Sequence, residues 1–392
     1  MKMKTRIAKE KVKTMENENL EFLYLDEQDM ICSGVKNMDK CIDTMEEMFR
    51  LLDIGDYRMG GVDANEHGIK VTFPDKSNIE GMPLNGPDRR FMAMPAYLGG
   101  KYHMFGIKTY GSNQNNRAIG LPRSVLMMSL LDVETGLPLA YMSANILSAM
   151  RTGAAVGAGV RKLCCENAKI VTIVGPGTIS RYAMEAFMVC CPNLDTIKIK
   201  GRGDKTIESF VAYCKSQYPR IKSIHIYDNL IEACKNSDIV FWGATNEAEF
   251  EDNPQIESEW IKPGAVVIGA SALRIGKSFF HISNCKFVAD NYRMYEDWSK
   301  GAELPVQKNI SSLMGMGYYD AVQEGILKKE QIINMGEIIK GEKTGRDNDK
   351  QIILYCVGGM PIEDVAWGFE CYMSAKEKGI GTKLKLWDKS AL

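Results

Sequence analysis

The stretch VTIVGPGTISRYAMEAF, residues 171–187, places Gly175, Pro176 and Gly177 between a β-branched apolar run and an amphipathic pattern of helical period. A dinucleotide site needs one glycine for a tight first turn, a second so that backbone can approach a pyrophosphate, and a small third residue for helix–strand packing. Gly175, Gly177 and Ser180 stand at those positions. The free N–H groups opening the following helix would then face the phosphates. A GxGxxS string alone also fits a plain strand-to-helix corner, so its surroundings decide.

Outward from this turn, the strand-like segments AKIVTIVG, TIKIKG, SIHIYD, DIVFWGA and AVVIGASA alternate with helical patterns running to Cys190, through FVAYCKSQY and through LIEACKN. This alternation signals a parallel, doubly wound sheet that binds its ligand at the strand carboxyl ends. Upstream, ILSAMRTGAAVGAGVRKL reads as a closely packed helix of small residues. Before it, Ile42, Met45, Met48, Phe49 and Leu52 recur at helical spacing, and FMAMPAYL, MFGIKTYG and SVLMMSLLDVETGLPLAYM read as strands, with VETGLP turning a hairpin. After the polar stretch GEKTGRDNDKQ, the chain carries Ile362, Val365, Ala366, Phe369 and Met373 on one helical face. The expected fold class is α/β, a Rossmann-type doubly wound parallel-sheet domain plus a second, α+β domain. Residues 1–20 read as a flexible tail, 148–340 as the Rossmann NAD(P)-binding domain, and 21–147 with 341–392 as the second domain.

Composition narrows the partners. Forty-nine basic against fifty acidic residues leave a net charge of −1 in 392 residues, which removes the long-range pull toward phosphate backbones that nucleic-acid binding relies on. No stretch approaches the roughly eighteen apolar residues of a membrane span, and the charged start MKMKTRIAKEKVK lacks the apolar core of a secretory signal. Eleven cysteines without any CxxC suit free thiols in a reducing cytoplasm. His67, His103, His225 and His281 show no metal-ligand spacing, so no metal is expected. A small molecule or a second copy of the chain is the expected partner.

The end of the second parallel strand reports cofactor choice. NAD sites place a carboxylate there for the ribose hydroxyls, whereas TIKIKGRGDKT offers Gly201 and Arg202. A guanidinium in that position suits the extra phosphate of NADP, while Asp204 leaves NAD open.

The chain resembles the ornithine cyclodeaminase and mu-crystallin family over nearly its whole length. The resemblance is carried by MPAY, GIK, VETGLPLA, AMRTGAA, IVGPGTIS, KPGAVVIGAS and GMPIEDVA in this order and spacing. It implies dimeric enzymes that use a nicotinamide cofactor on amino or imino acids, with the second domain binding substrate and joining its sheet to the partner's. It implies that Arg58 and Lys108 bind the substrate carboxylate, that Arg151 holds substrate and cofactor, and that Ser124 lies near the nicotinamide. Further cofactor contacts are implied at Thr152, Thr178, Ile179, Ala244, Ser271 and Gly359, beside Gly175, Gly177, Gly201 and Arg202. A buried lysine at position 108 also suits proton transfer.

At one catalytic position the chain departs from the cyclodeaminases. Asn246 stands where they carry a catalytic aspartate, and asparagine cannot act as a carboxylate base; Glu247, Glu249 and Glu251 lie close enough in sequence to substitute. The loop GSNQNNRAIGLPRS offers Asn113, Asn115 and Arg117 to a larger, opine-like substituent. The leading expectation is an NAD(P)-dependent oxidoreductase transferring hydride at the substrate Cα, as ketimine reductase or opine-type dehydrogenase. A cyclodeaminase forming proline and ammonia, or a crystallin-like NADPH-binding protein, are the alternatives.

Overall fold

The computed structural model describes residues 20–245 and 249–391. The expected tail thus lies outside the described residues except for Leu20, which opens the first strand. Strands β1 (Leu20–Leu25), β2 (Tyr57–Met59), β3 (Ile69–Val71), β4 (Arg90–Leu98), β5 (Met104–Ser112), β6 (Ser124–Asp132) and β7 (Pro138–Ser143) build one sheet. Its order is β18-β1-β7-β6-β5-β4-β2, with β3 also on β4 and the C-terminal β18 (Thr382–Trp387) at one edge. Pairing is antiparallel except between β1 and β7, and VETGLP turns the β6–β7 hairpin.

The two-residue strand period sorts this sheet into two faces. Met94, Ala96 and Leu98 of β4 share a face with Lys108, Gly106 and Met104 of β5 and with Met128 and Leu130 of β6. That face is buried against the helix Pro361–Lys378. Phe91, Val125 and Tyr141 are exposed on the opposite face.

The second sheet is built from β8 (Ile170–Val174), β9 (Thr196–Lys200), β10 (Ser223–Ile226), β11 (Ile239–Trp242), β13 (Val266–Gly269), β15 (Cys285–Ala289), β16 (Ile332–Asn334) and β17 (Ile352–Cys356). A two-residue pair, β12 (Gln255–Ile256) with β14 (Arg274–Ile275), stands apart. The order β10-β9-β8-β11-β13-β17-β15-β16 is parallel throughout and reverses direction between β8 and β11, the switch point of a doubly wound sheet. β17 corrects the boundary expected at residue 341. Covered on both faces, this strand is a continuous apolar run without alternation and belongs to the parallel sheet, so the crossing to the other domain comes after Cys356.

The helix Pro361–Lys378 does pack on the first domain, through Ile362, Val365 and Ala366, with Phe369 half-buried. Met373 departs from the expected face: the last turns bury Cys371, Tyr372 and Ala375 instead and leave Met373 exposed. Small residues in the helix Asn145–Leu163 let neighbours come close. A Cβ on Gly153 would stand 2.6 Å from the Tyr182 backbone, and one on Gly159 would enter the Tyr355 ring, whose hydroxyl donates to the Ala155 carbonyl. Gly159→Val is therefore expected to destabilise the fold by about 1–3 kcal/mol, by overpacking; urea unfolding followed by circular dichroism measures the shift.

Candidate active site

Alternation along β5 turns Lys108 inward, where it is 2% exposed. A lysine so desolvated needs a counter-charge. It comes from the first turn of the helix Pro361–Lys378, where Asp364 Oδ2 accepts from Lys108 Nζ at 2.6 Å. Ser148 Oγ, from the helix Asn145–Leu163, lies 3.2 Å from the same ammonium. Less than one turn further along that helix, Arg151 donates through Nε to Asp364 Oδ1 at 3.1 Å and through Nη1 to Glu363 Oε2 at 2.5 Å. Glu363 Oε1 accepts from the Met360 amide, capping its own helix. Two cations and two carboxylates thus interlock, with the carboxylates at the helix end that favours negative charge.

Burial, reinforced by the Arg151 charge, lowers the Lys108 pKa to about 8 against the pull of Asp364. Burial raises Glu363 to about 7 despite its bond to Arg151. For Arg151 burial opposes the charge, but Asp364 and Glu363 more than offset it and hold the guanidinium firmly protonated.

His67, in the segment before β3, adjoins the network. Its Nδ1 lies 2.8 Å from the Gly359 carbonyl, which can only accept, so Nδ1 carries the hydrogen. The ring lies parallel to Trp298 at 5.2 Å, and burial, together with the nearby Lys108 charge, lowers its pKa to about 4, leaving it neutral. Gly359 has φ +78°, and a side chain there would meet Arg151 Nη1 at 2.6 Å. Asp290, fully buried, accepts from the amides of Gly358 at 2.7 Å and Gly359 at 3.2 Å and from the Tyr295 hydroxyl at 3.0 Å. This turn leaves the carboxyl end of β17, so the ion network sits at the same sheet edge as the cleft beyond β8 and β11.

That cleft, of about 580 Å³, is lined by Gly175, Gly177, Gly201, Arg202 and Ala244 among others. Gly175 takes φ +79°, and a Cβ on it would stand 2.5 Å from the Ala244 amide nitrogen. Around Gly177 nothing lies within 4 Å of a Cβ, so the space in front of the turn is open. Ser180 Oγ donates back to the Gly175 carbonyl at 2.6 Å. The helix Thr178–Cys190 begins at Gly177 with no side-chain cap, leaving its first amides for an anion. These features fit a dinucleotide pyrophosphate. Arg202 Nη2 donates to Thr245 Oγ1 at 2.9 Å, and Thr178 lines an adjoining cavity with Arg181, Lys205 and Thr206. Ser271 Oγ donates to the Ala244 carbonyl, Thr152 Oγ1 to the Ser148 carbonyl, and Ile179 is half-buried in the first turn of its helix.

Several expected site residues lie elsewhere. Arg58 pairs with Tyr97, not with Met94 or Ala96, so it projects from the face opposite Lys108, where its Nη1 donates to the Gly55 and Tyr57 carbonyls. A one-residue step along a strand exchanges faces, and it takes Arg58 away from the network. Ser124 is engaged by Ser112, whose own hydroxyl donates to Asp88, and it does not line the cleft. Asn113 accepts from the Asn115 amide and so shapes its own loop, while Arg117 lines the cofactor cleft. Asn246 and Glu247 lie outside the described residues, and Glu251 is held at the surface by Lys308. Sequence reasoning missed Glu363, Asp364 and His67. The available signal was GMPIEDVA, where two acids interrupt a buried helical face and so require buried partners.

Comparison with known proteins shows the family and the fold. The family model described as "Ornithine cyclodeaminase/mu-crystallin family" matches residues 34–379. N-((2S)-2-amino-2-carboxyethyl)-L-glutamate dehydrogenase of Staphylococcus aureus is 28% identical over 372 residues, covering 94% of this chain and all of the relative. The Delta(1)-pyrroline-2-carboxylate reductase of Thermococcus litoralis, solved with NADH and L-proline, superposes with a TM-score of 0.71 at 24% identity, covering 92% of this chain and 99% of that one. An archaeal alanine dehydrogenase dimer with bound NAD superposes with a TM-score of 0.72 at 24% identity, covering 94% and 100%.

Lys108→Met is expected to abolish turnover while leaving cofactor affinity, read by quenching of protein fluorescence, within about threefold of wild type. Where the reaction uses the protonated lysine, kcat/KM should fall as pH rises through about 8, the value to which burial lowers Lys108. A profile flat from pH 7 to 9.5 in the direction of imine reduction would remove Lys108 from proton donation.

Proposed function

Because the chain belongs to the ornithine cyclodeaminase/mu-crystallin family, we propose that it is an NAD(P)-dependent oxidoreductase interconverting an imino acid and an amino acid. The observation that carries this reading is the buried pair of cations, Lys108 and Arg151, sharing Asp364 at the edge where the glycine turn opens. A substrate α-carboxylate is drawn to such a pair and exchanges with the resident acids for its hydrogen bonds. Held at the Gly175–Gly177 turn and the uncapped start of the helix Thr178–Cys190, a nicotinamide cofactor would supply hydride to the substrate Cα or accept it. Lys108 donates a proton to the substrate nitrogen during reduction and recovers it in the reverse direction. The buried walls around it exclude water that would hydrolyse an imine.

The substrate belongs to the ketimine or opine type. The similarity to the staphylococcal dehydrogenase supports an amino acid bearing a carboxylated N-substituent. NADP is the preferred cofactor: Arg202, with Lys205 and Thr206 beside the turn, supplies the charge and hydroxyl that a ribose phosphate takes up. The exposed apolar residues Phe91, Val125 and Tyr141 on the outer face of the first sheet support a homodimer joined through that face. Eleven free cysteines support a cytoplasmic location, and among the described residues no helix is long and apolar enough to cross a membrane.

The deciding assay follows nicotinamide absorbance and products together, with NADPH, pyruvate and an amine panel in one arm and ornithine with catalytic NAD in the other. Stoichiometric NADPH loss with a new secondary amine or amino acid is the expected result. Proline and ammonia without net reduced cofactor would establish cyclodeaminase chemistry instead. Arg202→Ala should raise KM for NADPH by about 10–100-fold and that for NADH by less than about threefold, since only the former loses a charge-assisted contact.

A further inference from the structure

The ion network spends its polar groups on one another. Asp364 offers one oxygen to Lys108 and the other to Arg151, while Glu363 offers one to Arg151 and the other to the Met360 amide. Lys108, Arg151 and Ser148 supply donors, which suit the carboxylate of an amino acid. Its nitrogen carries N–H groups and needs an acceptor that is not already engaged.

His67 provides one. Its Nδ1–H is committed to the Gly359 carbonyl, which forces the lone pair onto Nε2, and Nε2 makes no hydrogen bond to any described residue. The parallel stack on Trp298 fixes the ring plane, and the Gly359 turn that orients it is itself pinned by Asp290 and lies against the Arg151 guanidinium. A neutral lone pair held this way beside two cations accepts from a substrate N–H without adding a third charge.

We propose, resting on the oxidoreductase reading, that His67 is a substrate-binding residue whose Nε2 accepts a hydrogen bond from the N–H of the reacting nitrogen in the protonated imine and in the amino acid. Lys108 remains the proton carrier, and His67 orients the C–N bond toward the hydride path.

Two variants separate this role from a structural one. His67→Asn keeps an amide N–H where Nδ1 stands and deletes the acceptor; His67→Gln places an amide oxygen within reach of the Nε2 position. His67→Asn is expected to lower kcat/KM for the imine by about 10–100-fold, with NADPH affinity changed less than about twofold and an unchanged melting temperature, and His67→Gln to recover most of that loss. Wild-type kcat/KM in His67→Asn would overturn the assignment. So would equal losses in both variants tracking a fall in melting temperature, because the ring would then serve only the turn. Absence of turnover in the wild-type protein would sink the oxidoreductase reading instead. Amino-acid binding, followed by the fluorescence of bound NADPH in wild type and His67→Asn, would then still decide His67: weaker binding in the variant supports the acceptor and equal binding overturns it.

Discussion

Asp364 is the carboxylate on which the site depends. It lies in the first turn of a helix from the C-terminal part of the chain, yet its two oxygens hold a lysine from the middle of an antiparallel strand and an arginine from the helix that leads into the other domain. Removing one partner of a buried charge pair commonly costs about 3–5 kcal/mol because the remaining charge stays uncompensated. Here one acid serves two cations. The positions of Lys108, Arg151 and the start of the C-terminal helix are therefore fixed together.

The same arrangement explains how a single site can hold both a dry ion network and an anionic ligand. On the proposed reading, a substrate carboxylate would join cations that already have partners, so its binding would be an exchange of hydrogen bonds rather than a new burial of charge. Glu363, raised to about 7 by burial, is the member of the network best placed to become neutral when another anion arrives.

Much of the cofactor side was legible in the sequence because its physics is local. Gly175 needs a positive φ and close approach to Ala244, and the flanking strand and helix announce themselves by period. The catalytic side was legible only where one residue contradicted its surroundings, as Lys108 does in an apolar strand. Its partners were not, because Asp364 meets Lys108 across 256 residues and Glu363 meets Arg151 across 212, relations that no local pattern encodes. Arg58 shows the converse failure: a motif match gives position along a strand, whereas the register with β4 decides which face receives the side chain. β17 was placed in the wrong domain for a related reason, since a strand buried on both faces has no alternation to reveal its neighbours.

The connection between β17 and the helix Pro361–Lys378 has a mechanical meaning. β17 lies inside the cofactor-domain sheet, and five residues after its end the chain is a helix of the other domain. The short link contains Gly359, whose carbonyl holds His67 and whose Cα faces Arg151. At this crossing, the residues that join the two domains also hold His67 and lie against Arg151. Any rotation of one domain against the other about this link would therefore move the support of His67 together with the cleft, with no relay of intervening side chains.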